Sequence, residues 1–184
     1  MNSSLTPAIL IGAAFVLAGC STAPPRSAAN PSNGKYYLND GPMKGVSQAM
    51  LDAIPNATPR HETLSKGAKK PYGVMGRRFV PMTAMGPYKA TGVASWYGTR
   101  YHGLKTATGE TYDMLKMTAA HPTLPLPSYA RVTNLGNNRS VIVRVNDRGP
   151  FLHGRIIDLS FAAANRLGYT QQGSASVEVE LIEP

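Results

Sequence analysis

Five titratable side chains in the second half of the chain have types and surroundings suited to moving protons: Glu110, Asp113, His121, Asp147 and Asp158. Glu110 and Asp113 lie three apart in Lys105-Thr106-Ala107-Thr108-Gly109-Glu110-Thr111-Tyr112-Asp113, a turn of small residues that lets a substrate chain come close to the backbone. The plainer alternative is a polar loop facing water. His121 follows the uncharged run Met117-Thr118-Ala119-Ala120 and precedes Pro122, which reads as a strand end, with a structural hydrogen bond as the alternative to chemistry. Asp147 stands in Asn146-Asp147-Arg148-Gly149-Pro150 directly after an apolar run, where an Asx-type turn is the alternative. Asp158 is embedded in Ile156-Ile157-Asp158-Leu159, and a carboxylate buried there must be paired or have a raised pKa. Capping the following helix, or pairing with Arg155 or Arg148, would satisfy it. A carboxyl whose pKa lies near ambient pH can give a proton and then take one back, so general acid–base chemistry is the class these residues point to. No cysteine cluster, phosphate loop or dinucleotide fingerprint occurs, and no metal or cofactor is expected.

These groups must be carried by strands. Residues 91–97 alternate through Val93, Ser95 and Tyr97, and residues 130–135 and 140–146 are β-branched runs joined by Gly136-Asn137-Asn138-Arg139, a link with hairpin chemistry. Residues 156–159 form another short run, and residues 176–182 close the chain with alternation that turns Glu178 and Glu180 to solvent. One helix is expected, with Ser160 as N-cap, Phe161, Ala164 and Leu167 on one face and Gly168 as the stop. Five strands and one helix describe a small, mainly β domain over residues 90–184, closed as a barrel.

The first half is different. Ten of the 15 prolines precede residue 90, and the formal charge of +9 divides into +7 up to Lys89 and +2 beyond it. Residues 8–19 form an apolar run well short of the roughly 20 residues that span a bilayer core, and they read as the core of a signal peptide over residues 1–19. The only cysteine, Cys20, follows Leu17-Ala18-Gly19 at the cleavage site, which resembles a bacterial lipobox. Acylation there would anchor the chain to a membrane, although the n-region lacks the usual Lys or Arg. Ser21 rather than Asp after the lipidated position favours the inner leaflet of the outer membrane, in the periplasm of a Gram-negative bacterium. Residues 20–70 are expected to be a flexible basic tether and residues 71–89 an extended lead-in that docks on the domain. The basic stretch from Lys66 to Arg78 is a solvated surface or attracts anionic lipid headgroups or wall polymers; no nucleic-acid partner is expected.

The stretches Ala94-Ser95-Trp96-Tyr97-Gly98, Tyr101-His102-Gly103, Thr106-Ala107-Thr108-Gly109-Glu110, Tyr112-Asp113-Met114, Thr118-Ala119-Ala120-His121, Arg131-Val132-Thr133-Asn134-Leu135, Asn146-Asp147-Arg148-Gly149-Pro150-Phe151 and Arg155-Ile156-Ile157-Asp158-Leu159-Ser160, in that order, resemble the rare lipoprotein A family of periplasmic lytic transglycosylases. The resemblance implies a six-stranded double-psi β-barrel of the expansin and barwin type, so one strand is hidden, around residues 117–120. It implies endolytic cleavage of peptidoglycan between N-acetylmuramic acid and N-acetylglucosamine to 1,6-anhydromuramyl products, with preference for strands lacking stem peptides, in wall remodelling and daughter-cell separation. The family's site maps onto Glu110, Asp113, His121 and Asp147, with Asp158 as the counterpart of an expansin-like acid. Asp147 or Glu110 would carry the proton and His121 would position it or tune its pKa. Trp96, Tyr97, Tyr101 and Arg148 are the expected substrate-binding residues, with barrel core as the alternative for the aromatics. Other cell-division or wall proteins are further partners that the resemblance suggests. Many members carry a C-terminal wall-binding SPOR domain; none is expected here, and septal targeting is not carried over. The rival expectation is a non-catalytic expansin-like lipoprotein that binds or loosens peptidoglycan.

Overall fold

The computed structural model describes residues 40–184. The expected signal peptide, Cys20 and the first part of the expected tether lie outside the described residues. Two short strands, β1 (Tyr72–Val74) and β2 (Arg77–Phe79), form an antiparallel hairpin ahead of the main sheet. The main sheet consists of β3 (Lys89–Tyr97), β4 (Thr118–Ala120), β5 (Ser128–Asn134), β6 (Ser140–Asp147), β7 (Arg155–Ser160) and β8 (Ser174–Ile182). They close into a barrel in the order β3-β7-β4-β6-β5-β8. The β3–β7 and β4–β6 pairs are parallel and the other four pairs antiparallel. This is the six-stranded double-psi barrel, and the hidden strand is β4.

Alternation decides what fills it. Val141, Val143 and Val145 of β6, Ile157 and Leu159 of β7 and Val177 and Val179 of β8 are buried inside, and the residues that alternate with them along most of these strands are less buried. Glu178 and Glu180 project from the outer face as expected, paired with Lys89 at 2.9 Å and Arg131 at 3.1 Å. Helix α2 (Phe161–Leu167) starts where Ser160 Oγ accepts the Ala163 amide at 3.2 Å. It ends at Gly168, whose φ of 80° is a left-handed stop.

The expected tether is corrected over residues 40–70, which lie against the barrel instead of standing away from it. A short helix, α1 (Gln48–Asp52), is capped at its start by Ser47 and held at its end by Arg166 of α2, whose Nη2 donates to the carbonyls of Leu51, Asp52 and Ile54 at 3.3, 3.0 and 2.7 Å. Leu51 is buried with Tyr97, Tyr112, Met114 and Phe161 in a second small core beside the barrel. Farther on, the Ala57 amide donates to Ile142 O at 3.0 Å and the Ser65 amide to Leu126 O at 2.8 Å. Composition misleads here because a Pro-rich strap needs no periodicity of its own when the barrel supplies its partners.

Asp40 fastens the strap at its described start. Its carboxylate accepts the Gly98 amide at 2.9 and 3.0 Å and the Arg100 amide at 3.1 Å, and the Thr99 amide donates to Gly41 O at 3.0 Å. Gly98 has no room for a side chain, since an added Cβ would run into Gly41 O and come within 2.9 Å of the Trp96 ring. Gly98→Ala is therefore expected to free residues 40–43, with loss of hydrogen-exchange protection at the Gly98 and Arg100 amides and destabilisation of about 2 kcal/mol.

Candidate functional site

Strand β4 lies between β6 and β7, and one residue of it organises the site. Ala119 pairs with Val145 on one side and Leu159 on the other, all three buried in the core. The next residue, Ala120, is in register with Asp147 of β6 and Asp158 of β7. A register shift in the β4–β6 pairing makes this possible, because the extra residue Asn146 brings Asp147 opposite Ala120. Two strand spacings put the Cα atoms of Asp147 and Asp158 about 10 Å apart. The floor between them is small: a Cβ on Gly149 would sit 3.8 Å from Ala120 Cβ and 3.9 Å from Asp158 Oδ2.

Three of the four expected carboxylates differ in electrostatic state. Burial raises the pKa of Asp147, partly offset by backbone amides of Ala107 and Arg148, each donating to Oδ1 at 2.8 Å, and by the Arg148 charge. No donor among the described residues reaches its Oδ2. Asp147 can thus hold a proton on an oxygen that nothing else occupies. Asp158 is also raised by burial, opposed by Ser95, whose Oγ donates to Asp158 Oδ1, and by the charge of Arg155, whose Nη1 reaches that same Oγ at 2.8 Å. Its fixed Oδ1 makes it a supporting acid beside Asp147, and the helix cap is Ser160, not Asp158.

Glu110 is the opposite case. Burial pushes its pKa up, but Arg144 Nη1 at 2.7 and 2.8 Å, Asn146 Nδ2 at 3.1 Å and Thr108 Oγ1 at 3.0 Å outweigh it, and the net value is lowered. The other edge of the same guanidinium donates to Glu62 of the strap, from Nε and Nη2 at 2.8 Å each, and Tyr129 adds its hydroxyl. Chiefly through the Arg144 hydrogen bonds, Glu62 is held down at about 2. One cation therefore locks two anions, and Glu110 is a fixed negative charge. The loop of residues 106–110 joins it to Asp147, because Ala107 N binds Asp147 while Thr108 N donates to Asn146 O at 3.3 Å. Asp113 caps its own turn, accepting the Leu115 amide at 3.0 Å, with His102 at 3.9 Å and Lys116 at 4.0 Å. Glu110 and Asp113 line a cleft of about 670 Å³, whose lining also includes Ile54, Pro55 and Arg60 of the strap.

His121 is placed differently from expectation. It is 1% exposed, and its Nδ1 accepts the amides of Thr123 at 3.1 Å and Leu124 at 2.9 Å, which assigns the proton to Nε2, facing Tyr88 Oη at 3.1 Å. Burial, helped by the Arg148 charge, drives its pKa down to about 3, so the ring is neutral. Both nitrogens are occupied, and its only hydrogen bond to Asp147 is from its backbone amide to Asp147 O at 3.0 Å. In this fold the ring braces the loop after β4 while its backbone amide holds Asp147 O.

Arg148, expected to bind substrate, has backbone partners in the fold. Its guanidinium donates to the carbonyls of His121 at 3.0 Å, Leu124 at 2.7 Å and Ala68 at 2.8 Å, tying the strap to the β4 loop. Of the aromatics, Trp96 packs on Phe161 at 5.4 Å, and Tyr97 is 8% exposed and stacked on Tyr112 at 4.1 Å. Tyr97 presents no open ring, and Trp96 is half-buried. Tyr97 still matters, since its phenol is raised by burial and by the negative charges of Asp147 and Asp158, which places it within electrostatic reach of both. Tyr101 alone of the three is open, at 41% exposure. Arg144, Asn146, Ser95, Tyr88 and Glu62 join the site only through the fold. Arg144 was detectable as the cation at an outward position between Val143 and Val145, and Glu62 as the sole acid between Asp52 and Glu110.

Comparison with known proteins is consistent with this geometry. A family model described as lytic transglycolase matches residues 89–179. The endolytic peptidoglycan transglycosylase RlpA of Pseudomonas aeruginosa is 48% identical over 192 residues, covering 100% of this chain and 55% of its own length. The protein of the same name from Neisseria meningitidis is 54% identical over 132 residues, covering 72% of this chain and 55% of its own. That from Vibrio cholerae is 44% identical over 168 residues, covering 91% and 60%. The chain spans a little over half the length of these curated relatives.

Proposed function

Since this chain belongs to the rare lipoprotein A family of double-psi barrel proteins, we propose that it is a lytic transglycosylase that cleaves the glycan strands of peptidoglycan between N-acetylmuramic acid and N-acetylglucosamine. The observation that carries this reading is Asp147: a carboxyl with a raised pKa, one oxygen fixed by two amides and the other without a donor among the described residues. Protonated Asp147 gives its proton to the bridging oxygen as the bond from that oxygen to the muramyl C1 breaks. Positive charge develops at C1 and the ring oxygen, and the fixed anion of Glu110 at the same end of the barrel favours it. The muramyl 6-hydroxyl then attacks C1, and the carboxylate of Asp147 takes the hydroxyl proton. The acid is restored, no water enters, and the nucleophile is already in place, which removes the entropic cost of a second reactant. The open ring of Tyr101 is suited to stack on a sugar.

The same reading places the protein in the periplasm, acylated at Cys20 and held at the inner leaflet of the outer membrane, with the strap as the approach from anchor to barrel. The lipobox-like Leu17-Ala18-Gly19-Cys20 supports this. Peptidoglycan sacculi stripped of stem peptides provide the test of activity. Soluble glycan fragments should be released in proportion to time and enzyme. Pelleting of the protein on sacculi with no fragment released would favour the rival, a wall-binding barrel without chemistry.

A further inference from the structure

The β1–β2 hairpin packs against the loops that follow β4 and β6, beside the Asp147 end of the barrel. Its inner face is anchored: Tyr72 and Phe79 stack at 5.3 Å, both pack on Phe151, Tyr72 Oη donates to Pro122 O at 2.8 Å, and Arg77 Nη1 donates to Phe151 O at 3.2 Å. The Tyr72 hydroxyl lies within electrostatic reach of Asp147 and Arg148, so the hairpin borders the catalytic carboxyl.

Its outer face has a different character. Register pairs Gly73 with Arg78, so the exposed Arg78 stands opposite a residue with no side chain. Nothing in the fold calls for glycine at 73. It is not among the residues with positive φ, and a Cβ there would meet only Arg77 O, at 3.8 Å. A strand glycine with open space above it leaves room for another molecule to come close to the backbone. At the tip, Met75 is held at φ 52°, a conformation that suits Asn or Gly better, and its side chain is 69% exposed. The surroundings are strongly positive: Lys66, Lys69, Lys70, Arg77 and Arg78 make no ion pair among the described residues, and no Asp or Glu occurs between Glu62 and Glu110.

We propose that this outer face is an accessory subsite for an acidic glycan, in which a sugar ring lies flat over the bare backbone at Gly73 and its carboxylate is held by Arg78. The ligand chemistry is that of a polysaccharide with carboxylated sugars, which the lactyl groups of muramyl residues supply once stem peptides are gone. The subsite rests on the reading of glycan as substrate and extends it along the strand, away from the scissile bond. A flat backbone with one guanidinium suits a rigid ring better than a lipid headgroup.

The test measures binding separately from cleavage. The full chain carrying Asp147→Asn is pelleted with peptide-stripped sacculi, so that affinity is read without turnover and does not depend on whether the protein is an enzyme. Arg78→Glu should weaken binding about tenfold, with Arg78→Lys retaining most of it. Gly73→Val should weaken binding comparably while leaving thermal stability unchanged or higher, because a β-branched residue suits a strand. With Asp147 intact, both variants should raise KM on long glycan and leave kcat unchanged. Unaltered affinity in Arg78→Glu and Gly73→Val overturns the subsite. So does a loss confined to anionic phospholipid vesicles, which would assign the face to a membrane.

Discussion

Asp147→Asn is expected to abolish glycan cleavage while leaving the barrel folded. The substitution is nearly isosteric, and the amide oxygen can still accept the amides of Ala107 and Arg148 that now reach Oδ1 at 2.8 Å. What is lost is the titratable proton, and general acid–base groups contribute about 10²- to 10⁴-fold, so kcat should fall by at least that lower figure. Stability should move the other way. Because burial raises the folded-state pKa of Asp147, this carboxyl favours the fold at low pH and loses that contribution as pH rises through its folded value. The Asn variant has no such loss and should melt at or above the wild-type temperature at neutral pH. For the same reason wild-type turnover should decline as pH rises through the Asp147 value. Paired kinetics and thermal melts check both halves. A variant that cleaves at wild-type rate would remove Asp147 from the chemistry and leave Glu110, whose lowered pKa makes it a poor proton donor.

His121→Ala is expected to show its main effect in stability. It leaves three groups without their partner: the amides of Thr123 and Leu124 and the hydroxyl of Tyr88. Each buried polar group left unpaired costs about 1–3 kcal/mol, so a loss of at least about 3 kcal/mol, or roughly 10 °C in Tm, is expected. The effect has a signature in pH. The folded-state value of about 3 lies below the ordinary 6.5, so the unfolded chain binds a proton that the fold does not as pH falls between these values. Wild-type stability therefore drops on acidification through that window, and the variant lacks this dependence. The gap between the two should narrow by about 1.4 kcal/mol per pH unit below 6.5, whatever the carboxylates common to both contribute. Chemical denaturation at several pH values measures it. Full stability with lost activity would return His121 to the catalytic group.

How much of this was legible in the sequence depends on how local the cause is. Strands β3, β5, β6, β7 and β8 and helix α2 announce themselves because alternation, caps and turn residues are properties of neighbours in sequence. Strand β4 has only three residues, too few for any periodicity, and exists because β6 and β7 pair with it on both sides. The strap over residues 40–70 was hidden for a related reason: its order comes from Asp40 on Gly98, Arg166 on α1 and Glu62 on Arg144, contacts across 58 to 114 residues or more. At the site, the residue types were readable and their roles were not. Asp147, Asp158 and Glu110 are all acids near strand ends, and only the partners brought in by the fold separate a raised carboxyl from a locked anion. His121 and Arg148 look like active-site residues in sequence, and the backbone partners that also make them part of the frame come only from the fold.

The central claim, that one carboxyl and the substrate's own hydroxyl suffice, is tested most directly by digesting peptide-stripped glycan in heavy-oxygen water and weighing the fragments. The account predicts 1,6-anhydromuramyl ends, each one water lighter than a reducing end and free of the heavy isotope. Reducing ends that carry one heavy oxygen would contradict it, because water would then be the nucleophile.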